Sequence, residues 1–185
     1  MTKIISALQN CVGRLPRELL RNVSRIGLCG QMHGIIFWKQ DGCWTTVSHG
    51  GMERFEVNKG NVSPLFTWQD STCSAEFISS LPQPDSHLRI SAGYGCATLF
   101  WKQANEPELL EQHDRAATVQ DFTVALLCDL KEPVMSIQNA ASWGYFDTTS
   151  GQWNLDILQG ENFPVQFLPK VLKPGAVAGR LSKNW

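Results

Sequence analysis

The sequence predicts an α/β fold built on a mixed sheet. Two patterns carry that prediction. Short apolar runs of strand length alternate with amphipathic helical stretches along the chain. An Asp41-Gly42 turn also sits between two strand-like segments, which makes one pairing antiparallel and the sheet mixed. Length agrees: 185 residues make one domain, or one domain with an appendage, and suffice to bury a core.

In order, residues 3–12 place Ile4, Ile5, Leu8, Cys11 and Val12 at helical spacing, until Gly13 and Pro16 interrupt. Glu18, Leu19, Leu20 and Val23 read as a second short turn of helix. Residues 26–29 have the length and composition of a buried strand. Residues 34–39 read as another, paired as a hairpin through Asp41-Gly42 with 43–47. Residues 48–64 read as a glycine-rich, charged loop, and 65–68 as a strand. Ser74 is placed to cap a helix through Glu76, Phe77, Ile78 and Leu81, which Pro82 and Pro84 stop. Residues 93–96 form a turn before a helix over 97–102. Pro107 lies in the first turn of an acidic helix at 106–111. Thr118 or Asp121 opens a stronger helix with Phe122, Ala125, Leu126 and Leu127 on its apolar face and Pro133 beyond its end. Residues 143–147 and 150–154 read as strand, turn and helix start. Residues 163–171 are apolar but carry prolines at 164 and 169, and the tail from Lys173 to Trp185 is loop-like.

Composition narrows the function classes. Hydrophobic residues at 43% and charged residues at 18% are those of a globular chain. A net charge of −1 leaves no basic footprint for nucleic acid or an anionic membrane. No apolar run reaches the ~20 residues of a membrane span, and the first residues lack a signal-peptide core. Six cysteines (Cys11, Cys29, Cys43, Cys73, Cys96 and Cys128) form no CxxC pair and no zinc-like spacing with histidine. Free thiols in a reducing, cytoplasmic compartment are expected. Seven tryptophans fit an aromatic-lined pocket or a core equally well.

The stretch most open to a chemical reading is Gly30-Gln31-Met32-His33-Gly34. Glycines allow a tight turn at a strand's carboxyl end, where ligands of open α/β sheets bind. Gln31 supplies an amide donor and acceptor, His33 a ring that can do either, and Met32 a soft apolar wall. Together they make a rim for a polyhydroxylated molecule; the alternative is a strand-to-loop turn with a satisfied histidine. Asp70 follows an apolar strand and reads either as a site carboxylate or as a helix N-terminal acid. Gly93-Tyr94-Gly95 is not a phosphate loop, lacking both GxxxxGK[ST] and a third glycine. No GxSxG is present. His33, His49, His87 and His113 could serve a cysteine nucleophile only if the fold brought one beside a thiol.

Three stretches taken together go further: Gly30-Gln31-Met32-His33-Gly34, Thr67-Trp68-Gln69-Asp70, and Asn139-Ala140-Ala141-Ser142-Trp143-Gly144-Tyr145-Phe146. In this order and spacing they resemble the amino-terminal lobe of the FGGY carbohydrate kinases. The run from Ser136 to Phe146 resembles the sedoheptulose branch in particular, and residues 77–84, 95–101 and 174–180 fit the same pattern. The resemblance implies a ribonuclease-H-like, actin-type ATPase lobe lacking its first strands. Residues 1–185 are then part of the sugar-binding domain, without the nucleotide-binding carboxyl-terminal domain.

For the family, the resemblance implies transfer of the γ-phosphate of Mg²⁺-bound ATP to the terminal hydroxyl of a ketose, a reaction of positioning and charge stabilisation. Gln31, Met32 and His33 would contact the ketose, with Trp68 and Asp70 lining the same pocket. The chain departs from the pattern in four places. The family's Asp-Gly-Thr/Ser phosphate loop would lie upstream of Met1, and the adenosine pocket beyond Trp185. Ile137 stands where the resemblance places the general-base aspartate, and an isoleucine can neither take a proton nor hold magnesium. Asp70 is followed by Ser71-Thr72-Cys73, not by an arginine. The chain alone is therefore expected to be inactive and to hold neither ATP nor Mg²⁺ tightly. The alternative is a non-catalytic fragment or pseudoenzyme, acting as a ketose-binding or interaction module. An open sheet edge would then favour self-association.

Overall fold

The structure, a computed structural model, describes residues 1–49 and 52–183. Helix α1 (Thr2–Gly13) and the single-turn α2 (Arg17–Arg21) come first. Strand β1 (Ile36–Trp38) is engaged along both of its edges. It pairs antiparallel with β4 (Arg115–Ala117), Ile36 opposite Ala117 and Trp38 opposite Arg115. Its other edge is met by an extended segment through the bridges Trp38–Val62 and Ile35–Phe66. Buried on both faces, β1 reads as continuous Ile-Ile-Phe-Trp with no alternation, as a central strand should.

That double engagement corrects the expected hairpin. With both edges of β1 occupied, β2 (Trp44–His49) turns away and pairs antiparallel with β3 (Met52–Val57). The Asp41-Gly42 turn does form, with Gly42 at φ +79° and Asn61 Nδ2 donating to the carbonyls of Asp41 and Gly42. It connects β1 to a different hairpin. The stretch expected as a loop over 48–64 therefore contains β3; its Gly50-Gly51 pair lies outside the described residues. Residues 65–68 form a single bridge at Phe66 rather than a strand.

The expected strand at 26–29 is also absent. These residues pair with no strand among the described residues, and Ile26 is 60% exposed. An apolar run of strand length becomes a strand only where a neighbouring backbone accepts and donates its hydrogen bonds.

Helix α3 (Ala75–Ser80) is capped as expected, Ser74 Oγ accepting from Phe77 N. Helices α4 (Gly95–Asn105) and α5 (Pro107–Glu111) meet at Glu106. In α6 (Val119–Cys128) the cap is Thr118, whose Oγ1 accepts from Asp121 N. Trp44 Nε1 donates to Asp129 Oδ1 just beyond α6, tying β2 to that helix.

Strand β5 (Val134–Ser136) runs straight into α7 (Ile137–Trp143), with Ser136 Oγ accepting from Asn139 N. A small hairpin, β6 (Phe146–Asp147) with β7 (Gln152–Trp153), leads to α8 (Leu155–Gly160). A short 3-10 helix (Val165–Phe167) and β8 (Lys170–Leu172) complete the order, with β8 pairing parallel to β5. The α/β class holds, with the strands in small two-stranded sheets: among the described residues three pairings are antiparallel and one is parallel, each in its own sheet. The core gathers Trp38, Trp143, Tyr145, Phe37 and Phe122, all fully buried. No helix among the described residues is long and apolar enough to cross a membrane.

Candidate functional site

The loop at 31–34 is held from three sides. Backbone pairing of Ile35 with Phe66 (N to O 2.8 Å, and 3.0 Å in return) brings residues 66–68 alongside it. Gly34 lies so close to that segment that a Cβ would sit 2.5 Å from the Phe66 carbonyl oxygen. Gly93, at φ +78°, would place a Cβ 2.2 Å from the Trp68 carbonyl oxygen. The loops bearing Gln31-Met32-His33, Trp68-Gln69-Asp70 and Gly93-Tyr94 are thereby brought together at one end of β1.

Helix α7 supplies the third side. Trp143 Nε1 donates to the Gly34 carbonyl at 3.3 Å. His33 N donates to Ser142 Oγ at 3.3 Å, and His33 Nδ1 lies 2.8 Å from the Ser142 carbonyl oxygen. The imidazole stacks on Tyr94, centroids 4.5 Å apart and planes 7° from parallel. His33 itself has φ +72°, a conformation uncommon outside glycine. The glycines flanking it were expected to take that turn; instead the strain falls on the histidine, and Gly34 serves close approach.

Behind Ser142 lies a buried polar cluster. Ser142 Oγ donates to the Asn139 carbonyl at 2.8 Å. Asn139 Nδ2 donates to both Asp121 oxygens at 3.1 and 3.2 Å, while its Oδ1 accepts from Gln120 Nε2 at 2.7 Å. Thr118 Oγ1 donates to Asp121 Oδ2 at 2.7 Å. Burial pushes the Asp121 carboxyl up to about 6, against the opposing pull of the Thr118 and Asn139 hydrogen bonds.

The remaining expectations fare differently. Met32 is 45% exposed and Trp68 53% exposed, leaving large apolar surface at the loop cluster. The Asp70 carboxylate accepts from Thr72 N at 2.9 Å, an Asx turn and not a helix N-terminus, since Ser74 caps α3. Ile137 opens α7 half-buried and packs against the core. His113 and His87 engage Leu109 O and Thr148 Oγ1, while the His49 side chain lies outside the described residues. All six cysteines are free; burial pushes Cys43 up to about 12 and Cys73 to about 11, so neither is a ready nucleophile. Among the described residues no three His, Cys, Asp or Glu side chains gather as a metal ion would need. The loop cluster can supply hydrogen bonds to a polar ligand.

Tyr94, Ser142 and Trp143 had no site role on sequence grounds beyond membership of recognisable runs. Nothing local announces that the end of α7 will clamp a loop more than a hundred positions earlier.

Comparison with known proteins places this arrangement. The chain superposes on xylulose kinase from Lactobacillus acidophilus with a TM-score of 0.67 at 16% identity, covering 97% of this chain and 34% of that one. Gluconate kinase from the same organism gives 0.64 at 16% identity, covering 96% and 35%. The fold is that of sugar kinases of the actin-type ATPase class. Sequence narrows the class: the chain is 51% identical over 187 residues to mouse sedoheptulokinase and over 188 residues to the human protein. It is also 21% identical over 175 residues to xylulose kinase from Escherichia coli. The resemblance to the FGGY carbohydrate kinases read from the motifs thus holds along the entire chain, and the chain is sedoheptulokinase-like. It spans 38% of the length of the mammalian sedoheptulokinases it matches. No family model matches it.

Proposed function

We propose that the loops at 31–34 and 67–70 form the sugar-contacting side of a carbohydrate kinase whose substrate is sedoheptulose. Gln31, Met32 and His33 contact the ketose, and Trp68 and Asp70 contribute from the adjoining loop. One observation carries this reading. His33 is kept at positive φ by hydrogen bonds to Ser142 and stacked on Tyr94. Such conformations cost of order 1–3 kcal/mol and persist where the surroundings over-determine them, typically at ligand sites.

The family reaction, ATP-dependent phosphorylation of sedoheptulose at its terminal hydroxyl, belongs to this proposal as the activity of the whole protein. Residues 1–185 act in it as part of the sugar-binding domain and bind without turning over, with Ile137 a packing residue and not a base. Calorimetry of the chain with sedoheptulose tests the reading. Binding that falls at least about tenfold in His33→Ala and Asp70→Ala supports it; no heat from the parent chain refutes it. Turnover by the chain with magnesium-ATP would refute the inactive-chain part alone.

A second reading rests on the unpaired run at 26–29, exposed except at the half-buried Leu28, and on the exposed Leu15, Leu19 and Val23 that precede it in the chain. Such a surface favours self-association. Sedimentation velocity over a concentration series that returned only monomer would remove it.

A further inference from the structure

Resting on the sugar reading of His33, we propose that Ser142 is a positioning residue that fixes the tautomer of His33, leaving Nε2 as a hydrogen-bond acceptor for a hydroxyl of the ketose. A carbonyl oxygen has lone pairs only, so the 2.8 Å contact between His33 Nδ1 and the Ser142 carbonyl requires the proton on Nδ1. In the neutral ring Nε2 is then bare. It makes no hydrogen bond among the described residues, while the ring face is taken by Tyr94.

Ser142 holds the ring twice over. Its carbonyl sets the proton, and its hydroxyl accepts from the His33 backbone N–H while donating to the Asn139 carbonyl. The hydroxyl is fully buried, and its donor and acceptor roles are both used. Asn139 cannot drift, because Gln120 and Asp121 hold its side chain from opposite sides. The fixed element extends from α6 through α7 to the loop. A bare imidazole nitrogen accepts from a hydroxyl and offers nothing to a carbonyl, so at this position the site selects an alcohol group.

Proton-detected nitrogen spectra of the His33 ring in the 185-residue chain test this at about pH 8, where an ordinary imidazole is neutral. The expected pattern is a protonated Nδ1 and a bare Nε2, with Nε2 shifting when sedoheptulose is added. Ser142→Ala keeps the backbone carbonyl, and with it the protonated Nδ1, but removes the hydroxyl that accepts from His33 N. The tautomer stays as in the parent while sedoheptulose affinity falls about fivefold to tenfold, the effect of one lost hydrogen bond. Ser142→Thr, which keeps the hydroxyl, restores the affinity. Should Ser142→Ala fail to fold, the parent spectrum still decides the tautomer. A protonated Nε2 in the parent overturns the proposal whatever the sugar does, and an unchanged affinity in Ser142→Ala overturns the positioning role of the hydroxyl. A protonated Nδ1 with no sedoheptulose binding overturns the sugar reading, and the acceptor role with it.

Discussion

The first thirty residues and the stretch from 95 to 146 carry comparable apolar spacing and reach opposite ends. In α1 only Ile5 is buried, α2 buries nothing, and Leu19 is 55% exposed. In α4, α6 and α7 most residues are buried, and α7 alone contributes Asn139, Ala140, Ala141, Ser142 and Trp143 to the interior. Helical periodicity supplies an apolar stripe in both regions, yet burial requires something to press against. Helices α4 and α7 have each other, with Gly95 seated against the Trp143 indole. Helix α1 rests on β3, where Gln9 Nε2 donates to Phe55 O, and beyond Ile5 its apolar face is only half-buried at Leu8 and Val12 and exposed at Ile4. The same contrast separates the two halves of the candidate site. His33 is locked from α7, whereas Met32 and Trp68 lie largely exposed.

Substitutions should separate the regions by size of effect. The largest belongs to Gly95→Ala, whose Cβ would stand 2.3 Å from the Trp143 ring. Overpacking of this kind costs about 1–3 kcal/mol and more where the neighbour cannot give. Trp143 is fully buried and tied to Gly34, so the upper end is expected in urea melts, with loss of the His33 loop geometry.

A pH effect of comparable or smaller size arises at Asp121. Its folded pKa, about 6, stands above the ordinary aspartate value of 3.8, so the folded chain binds this proton more tightly than the unfolded chain. Stability should therefore rise as pH falls from about 6 toward 4, by at most about 3 kcal/mol at ~1.4 kcal/mol per unit. Melting temperatures taken across that window should show the slope in the parent and lose it in Asp121→Asn. An unchanged slope would place the titration elsewhere. The smallest effects belong to the amino-terminal third: Leu19→Ser and Ile26→Ser should each alter stability by no more than about 0.5 kcal/mol. A cost above about 1 kcal/mol in either would mean that this surface is covered in solution, and would erase the contrast between the regions.

Much of the fold was legible because its signals are local. Ser74 and Thr118 announce helix starts through their own side chains, Pro107 sits where its missing N–H costs nothing, and Pro82 forbids continuation. The errors share a cause. Residues 26–29 and the pairing of 34–39 with 43–47 depended on which backbone would stand beside them, and period and turn chemistry do not encode that. For the candidate site, residue type and motif order offered Gln31, Met32, His33, Trp68 and Asp70 as candidates.

By itself the sequence determined the mixed α/β class, most helix boundaries and the likeness to the sugar kinases, all carried by nearest-neighbour chemistry and motif order. Tertiary structure alone decided that His33 takes the positive φ in place of its flanking glycines, and that Ser142 sets its proton. It also buried Asp121 behind both. Those outcomes arise from contacts between residues as much as 109 positions apart, where burial and hydrogen-bond geometry act without any trace in local pattern.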